Sequence, residues 1–146
     1  MRRLLVTALT ALLLMAAPPA TAATPEQRYA STAHTATNQA RAQEDLGELG
    51  KNACLTRFAV RQAKRMAARR EMYHQDLGPV LQSCGMGAVG ENVAYGFRTG
   101  TAVVREGWMH SEGHRANILS RDYRLMGIGA RKAGGQWYVA QVFGRK

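Results

Sequence analysis

The chain has 146 residues and a formal net charge of +10, which is enough sequence for one domain. So basic a surface favours anionic partners, namely cell-wall polymers, lipid headgroups or nucleic acid, although it is also read as plain solubilising charge. No RNA- or DNA-binding motif accompanies it, so specific nucleic-acid recognition is the weakest of the three.

The first stretch reads as an export signal rather than as part of the fold. Met1-Arg2-Arg3 is a basic start, Leu4 to Ala17 is an apolar run, and Pro18-Pro19 breaks it. Ala20-Thr21-Ala22 supplies the small residues at which signal peptidase cuts, placing cleavage after Ala22 or Ala23. The apolar run falls short of the roughly 20 residues a membrane span needs. The paired arginines also fit a twin-arginine signal, with the general secretory route preferred. No further hydrophobic segment follows, and the expected location is secreted, extracellular. Removing Arg2 and Arg3 leaves 18 basic against 10 acidic residues, a net +8.

Residues 24–32 read as a polar leader, mobile in part. A helix is expected from about Thr32 to Leu46, carrying a small-residue stripe of Ala33, Ala36 and Ala40. Gly47 and Gly50 then mark a loop. From Cys54 to about Met72 the helical pattern is stronger. Leu55, Ala59, Ala63 and Met66 share one face, with Gln62 towards its margin, while Arg57, Arg61, Lys64 and Arg65 occupy the opposite, solvated face. The alanines on the buried side imply close approach to a sheet or another helix.

Leu77 to Gly90 reads mostly as loop. Thr101 is expected to cap a short helix through Val103, Val104 and Trp108, interrupted at Gly113 before a further turn over His114 to Leu119. Leu125 to Arg131 and Gln136 to Phe143 read as strands joined by a hairpin turn at Lys132-Ala133-Gly134-Gly135. Helices first and antiparallel strands last give an α+β layered domain. Cys54 and Cys84 are the two cysteines. An even count in an exported chain favours one disulfide, the alternative being two buried free thiols.

The groups able to carry chemistry are spread along the chain. His74 follows the second helix, Glu91 lies in Gly90-Glu91-Asn92, and His114 in Gly113-His114-Arg115-Ala116-Asn117-Ile118-Leu119. Two neutral imidazoles, Glu91 and a water would make a tetrahedral site for a divalent cation such as zinc. The same groups can instead hold one another by hydrogen bonds. His110 and His114 have chelating spacing on a helix, but the segment is not H-E-x-x-H, and His110 and His34 read as surface residues. Trp108 reads as core. Asn92, Arg115 and Asn117 read as loop ties, Arg115 bridging the cleft rim to a carboxylate.

The order of Asn38-Gln39-Ala40-Arg41, Met66-Ala67, His74, Gly90-Glu91-Asn92, Trp108, the Gly113-to-Leu119 segment, Gly127-Ile128-Gly129 and Gln141-Val142-Phe143-Gly144 resembles the CAP superfamily of cysteine-rich secretory proteins, insect-venom antigens and plant pathogenesis-related proteins, in its secreted bacterial SCP-like branch. The resemblance covers nearly the whole mature chain and implies a domain over 33–146, a three-layer α-β-α sandwich with a small antiparallel sheet, and a shallow cleft. In that cleft, the resemblance matches His74, Glu91 and His114 to three of four family positions. The fourth, a glutamate three residues after the tryptophan in many members, is Ser111 here. The adjacent Glu112 would point about 100° away on a helix. The reading that follows is a monomeric secreted protein with an extracellular or cell-envelope binding role rather than demonstrated turnover. A metal-assisted, peptidase-like hydrolase using the same cleft is the alternative, and lipid or sterol binding is a second, implied by the family alone.

Overall fold

Thr24 decides where the first helix begins. The computed structural model describes residues 22–146; the export signal falls almost wholly outside them. The Thr24 side chain accepts from the Gln27 amide while the Gln27 side chain accepts from the Thr24 amide, and Pro25 takes the first helical position. This reciprocal cap starts α1 at Pro25–Ala42. The expected polar leader is therefore the first two turns of a helix, and Tyr29 within it is buried. Composition hid this, because a capping box is polar by construction.

A two-residue strand, β1 (Gly50–Lys51), leads through the cap residue Asn52 into α2 (Ala53–Arg69). Leu55, Ala59, Ala63 and Met66 are buried, as their spacing requires. Gln62 is fully buried instead of marginal. Its side-chain amide donates to the Tyr73 carbonyl at 2.6 Å, which pins the segment leading to His74. Arg57, Arg61, Lys64 and Arg65 are exposed, and among the described residues none of these four forms an ion pair.

The expected loop after Leu77 contains α3 (Gly78–Ser83) and the start of β2 (Ala88–Tyr95). Pro79 sits where a helix tolerates it, so proline and glycine content there marked a helix start and not a loop. A disulfide joins Cys54 at the start of α2 to Cys84 at the end of α3. Closing a loop with 30-residue separation stabilises by about 3.5 kcal/mol in the chain-entropy model. Replacing Cys84 by serine is expected to lose that amount, read as a lower urea midpoint with a larger m-value as the unfolded chain expands; an unmoved midpoint would contradict the account.

Thr99, not Thr101, caps the next helix. Its backbone is extended and its side chain accepts from the Ala102 amide, whereas Thr101 lies inside the first turn. The helix α4 (Gly100–Ala102) runs on through a wider π-type turn at Val103–Gly107 and a tight turn at Trp108–His110. The break comes at Ser111, which is extended, and Gly113 lies inside α5 (Glu112–Leu119). Strands β3 (Leu125–Ala133) and β4 (Gln136–Arg145) close the chain. Their turn is shorter than expected: Ala133 pairs with Gln136 around Gly134-Gly135, both at positive φ, a conformation that favours glycine.

The sheet order is β1-β3-β4-β2, antiparallel except that β1 runs parallel to β3. On one face, α1, Val103, Val104, Trp108 and Ile118 form a core with Met126, Ile128 and Phe143. On the other, α2 and Val80 pack against Val93, Tyr138, Ala140 and Val142. Helices thus cover both faces, giving the α-β-α sandwich. Gly127 and Gly129 let α2 sit directly on β3. A Cβ at Gly127 would lie 2.1 Å from the Thr56 nitrogen, and one at Gly129 would lie 2.3 Å from that of Val60. Among the described residues no helix is long and apolar enough to cross a membrane.

Candidate functional site

The site forms around the outer edge of β2. Side chains alternate along a strand, so Glu91 joins Val93 on the α2 side while Asn92 joins Ala94 on the α5 side. His74 arrives from the segment after α2 and His114 from α5. The two histidines therefore reach this edge from opposite faces of the sheet.

Glu91 is almost wholly enclosed, its side chain 1% exposed against 59% for His74. Its Oε1 accepts from His74 Nδ1 at 2.9 Å and from the Gln75 amide at 3.1 Å. Its Oε2 accepts from the Gln75 side chain at 2.5 Å. A buried carboxylate needs such donors, and here they bind the 73–75 segment to the sheet. They also fix the His74 tautomer, with the proton on Nδ1 and Nε2 as the lone-pair nitrogen. Gln75 was not singled out from sequence; its one signal is adjacency to His74.

Ser111 precedes α5 but does not use its side chain as a cap. Its Oγ lies 2.9 Å from His114 Nδ1 instead. A hydroxyl thus contacts His114 from the position where many family members carry a carboxylate. Burial lowers the His114 pKa below the usual histidine value, and the nearby His74 lowers it further.

Among the described residues no three His, Cys, Asp or Glu side chains group in a way that would hold a metal ion. Of the expected ligand trio, Glu91 already accepts three hydrogen bonds, from His74 and from the Gln75 amide and side chain, while His114 contacts Ser111. His110 is exposed, and the extended Ser111 between it and His114 removes the helical chelating geometry. Glu112 is exposed on the first turn of α5. Arg115 meets a carboxylate, but that of Glu44 at 2.9 Å, in a pair roughly half exposed on both sides and worth little.

Asparagines support this edge. Asn92 donates to the His114 carbonyl at 3.1 Å, and Asn117 donates to both the Asn92 oxygen and the Glu91 carbonyl. Trp108 is core, and its indole N–H donates to the Val93 carbonyl. Behind Asn92, the buried Gln141 bonds Asn92 and Thr37. Asn38 makes two hydrogen bonds with the Leu49 backbone, and Arg41 holds the carbonyls of Gly47, Ile118 and Ser120. Of the helical N-x-x-R pattern, Asn38 thus ties the chain before β1, and Arg41 clamps α5, the helix that carries His114.

A disulfide-stapled α-β-α sandwich with a buried glutamate bonded to one histidine and a second histidine carried by α5 defines the class of the protein. The sequence pattern of the CAP, or cysteine-rich secretory protein, family matches residues 34–143, and the chain belongs to that family. Among solved structures it is similar to an extracellular protein containing an SCP domain from Bacillus anthracis. That match has a TM-score of 0.75 and 26% identity, over 87% of this chain and 45% of that one. A cysteine-rich secretory protein of Staphylococcus aureus shares the fold at a TM-score of 0.71 and 22% identity, over 84% of this chain and 40% of that one. An outer surface protein of Borrelia burgdorferi does so at 0.69 and 18%, over 77% and 89%. Two Bacillus subtilis proteins match over shorter stretches. The uncharacterized membrane protein YlbC is 52% identical over 40 residues, 27% of this chain and 11% of its own length. The uncharacterized protein YkwD is 46% identical over 48 residues, 33% and 18% respectively. The chain thus spans only a small part of these curated relatives.

Proposed function

We propose that the protein works outside the cell as a binding domain, and that its β2-edge cleft holds a divalent cation such as zinc through His74 and His114. The observation that carries this reading is the engagement of both Nδ1 atoms, by Glu91 and by Ser111, which leaves Nε2 of each imidazole to serve as ligand. The donor set fits a borderline-soft cation, with waters completing the coordination. An ion held there would supply a Lewis-acid centre. Glu91 is a positioning residue of the kind that orients metal-binding histidines. Binding is favoured over hydrolysis because Glu91 already accepts three hydrogen bonds and Ser111 stands where a second carboxylate would be. Export is supported by the disulfide and by the extracellular or outer-surface descriptions of structural relatives. The unpaired cations of α2 support contact with anionic envelope material.

Zinc titration calorimetry on mature protein, Glu91→Gln, His74→Ala and His114→Ala tests the cleft. Each histidine variant is expected to lose most of the affinity, and Glu91→Gln about tenfold or more. Ligation needs neutral imidazole. Affinity should therefore fall with acid, and the lowered His114 pKa keeps that one ligand neutral to lower pH than an ordinary histidine. Equal affinity in all four proteins would remove the cation from the cleft. Turnover of a peptide substrate by the zinc-loaded protein, lost in His114→Ala, would replace the binding reading with the hydrolase one.

A further inference from the structure

The sheet has two edges, and the fold treats them differently. At the β2 edge, Asn117 and Trp108 side chains bond the outward carbonyls of Glu91 and Val93. At the β3 edge, β1 pairs only with Leu125 and Met126 before Asn52 turns the chain into α2. The Asn52 amide donates to the Met126 carbonyl, so even-numbered residues of β3 direct their backbone groups away from β4. Beyond Met126, those of Ile128 and Ala130 therefore face a line with no strand on it.

That line runs through a channel of about 550 Å³. Its floor is β3, one wall is α1 at Ala30 and His34, and the other is α2 at Val60 and Lys64. The sandwich is one strand short here, and the two helices overhang the gap. Ile128 and Ala130 are only 5% and 6% exposed, so the edge is recessed. A second sheet with its own helices would collide with these walls, whereas a single extended segment would not. Lys51, Lys64 and Arg131 line the channel, with Glu26 the sole acid among its lining residues and already facing Arg131 at 3.7 Å.

We propose that this channel binds an extended acidic peptide segment, which adds to β3 as a fifth strand. Strand addition would satisfy the N–H and C=O groups of Ile128 and Ala130, as an acyl chain cannot. Alternate side chains of the added strand would face Ala30 and His34 on one wall and Val60 on the other, and its acids would meet Lys51, Lys64 and Arg131. The channel lies at the opposite sheet edge from the histidine cleft, so neither proposal depends on the other.

The test uses mature protein and a capped six-residue peptide of alternating valine and threonine flanked by aspartates, followed by NMR. At saturation the amide protons of Ile128 and Ala130 are expected to shift downfield and to exchange at least about tenfold more slowly, while those of Glu91 and Asn92 stay unchanged. The same peptide methylated on alternate backbone nitrogens should bind at least about tenfold more weakly, having lost its donors. Ala30→Phe should plug the channel and abolish binding; if that variant does not fold, the methylated peptide still decides. Absence of the Ile128 and Ala130 shifts at millimolar peptide, or equal binding of the methylated form, overturns the proposal. Palmitate binding in the channel without any peptide effect also overturns it, and assigns the site to acyl chains.

Discussion

Replacing Gly129 by alanine is expected to lower the unfolding free energy by about 3 kcal/mol, the upper end for overpacking. The added methyl would meet the Val60 nitrogen and the Ala59 carbonyl carbon at 2.3 and 2.4 Å. Those are backbone atoms of α2 and cannot rotate away as a side-chain end would. Relief requires lifting the helix from the sheet, which opens the core formed by Leu55, Ala59 and Met66. Gly113→Ala is the matched control. Nothing lies within 4 Å of its added carbon, and Gly113 lies inside α5. That change should stabilise by about 0.5 kcal/mol through helix propensity. Urea unfolding of the two variants beside wild type measures both. A Gly129→Ala protein with an unmoved midpoint would mean that α2 does not rest on the β3 backbone.

The second large effect is expected at Arg41, where methionine should cost about 3 kcal/mol, as for loss of buried charge-assisted hydrogen bonds. Arg41 is 2% exposed. Its Nε donates to the Gly47 carbonyl at 2.8 Å, and one terminal nitrogen donates to Ile118 and Ser120 at 2.7 and 2.9 Å. Two of these carbonyls lie at the C-terminal end of α5, where the helix dipole favours a cation. Arg41→Lys keeps the charge but has one nitrogen where the fork has three, so it should recover only part of the loss. Because α5 carries His114, the methionine variant should also speed amide exchange along Glu112–Leu119. Wild-type stability in Arg41→Lys would show that charge alone suffices and the fork geometry does not matter.

Much of the β2-edge arrangement was legible because its residues sit in recognisable local sequence. His74, Glu91 and His114 do gather at one edge, with Ser111 and Asn92 beside them. What Glu91 does there was not legible. Two of its three donors come from Gln75, whose position relative to β2 depends on how the 73–75 segment is held, and the buried Gln62 helps to hold it. Amphipathic spacing placed Gln62 on the inner face of α2 but said nothing about a carbonyl waiting eleven residues later. Arg115 shows how far the sequence reaches. A carboxylate was expected for it without being named, and Glu44 supplies it, since only packing brings the residues after α1 beside α5.

Local chemistry by itself determined the amphipathic α2, the two C-terminal strands and their tight glycine turn, and the likeness to the CAP family. These depend on periodicity, on glycine's access to positive φ, and on motif order, all of which act over a few residues. The start of α1 was also written locally, in a Thr24–Gln27 box that polar composition disguised. Tertiary structure decided the rest. It set the parallel pairing of β1, the three hydrogen bonds to Glu91, the contact between Ser111 and His114, and the unpaired edge of β3 between two helices. Each of these depends on groups far apart in the chain meeting at a few ångströms, and distances of that kind are fixed by how the helices pack on the sheet, not by the spacing of residues along it.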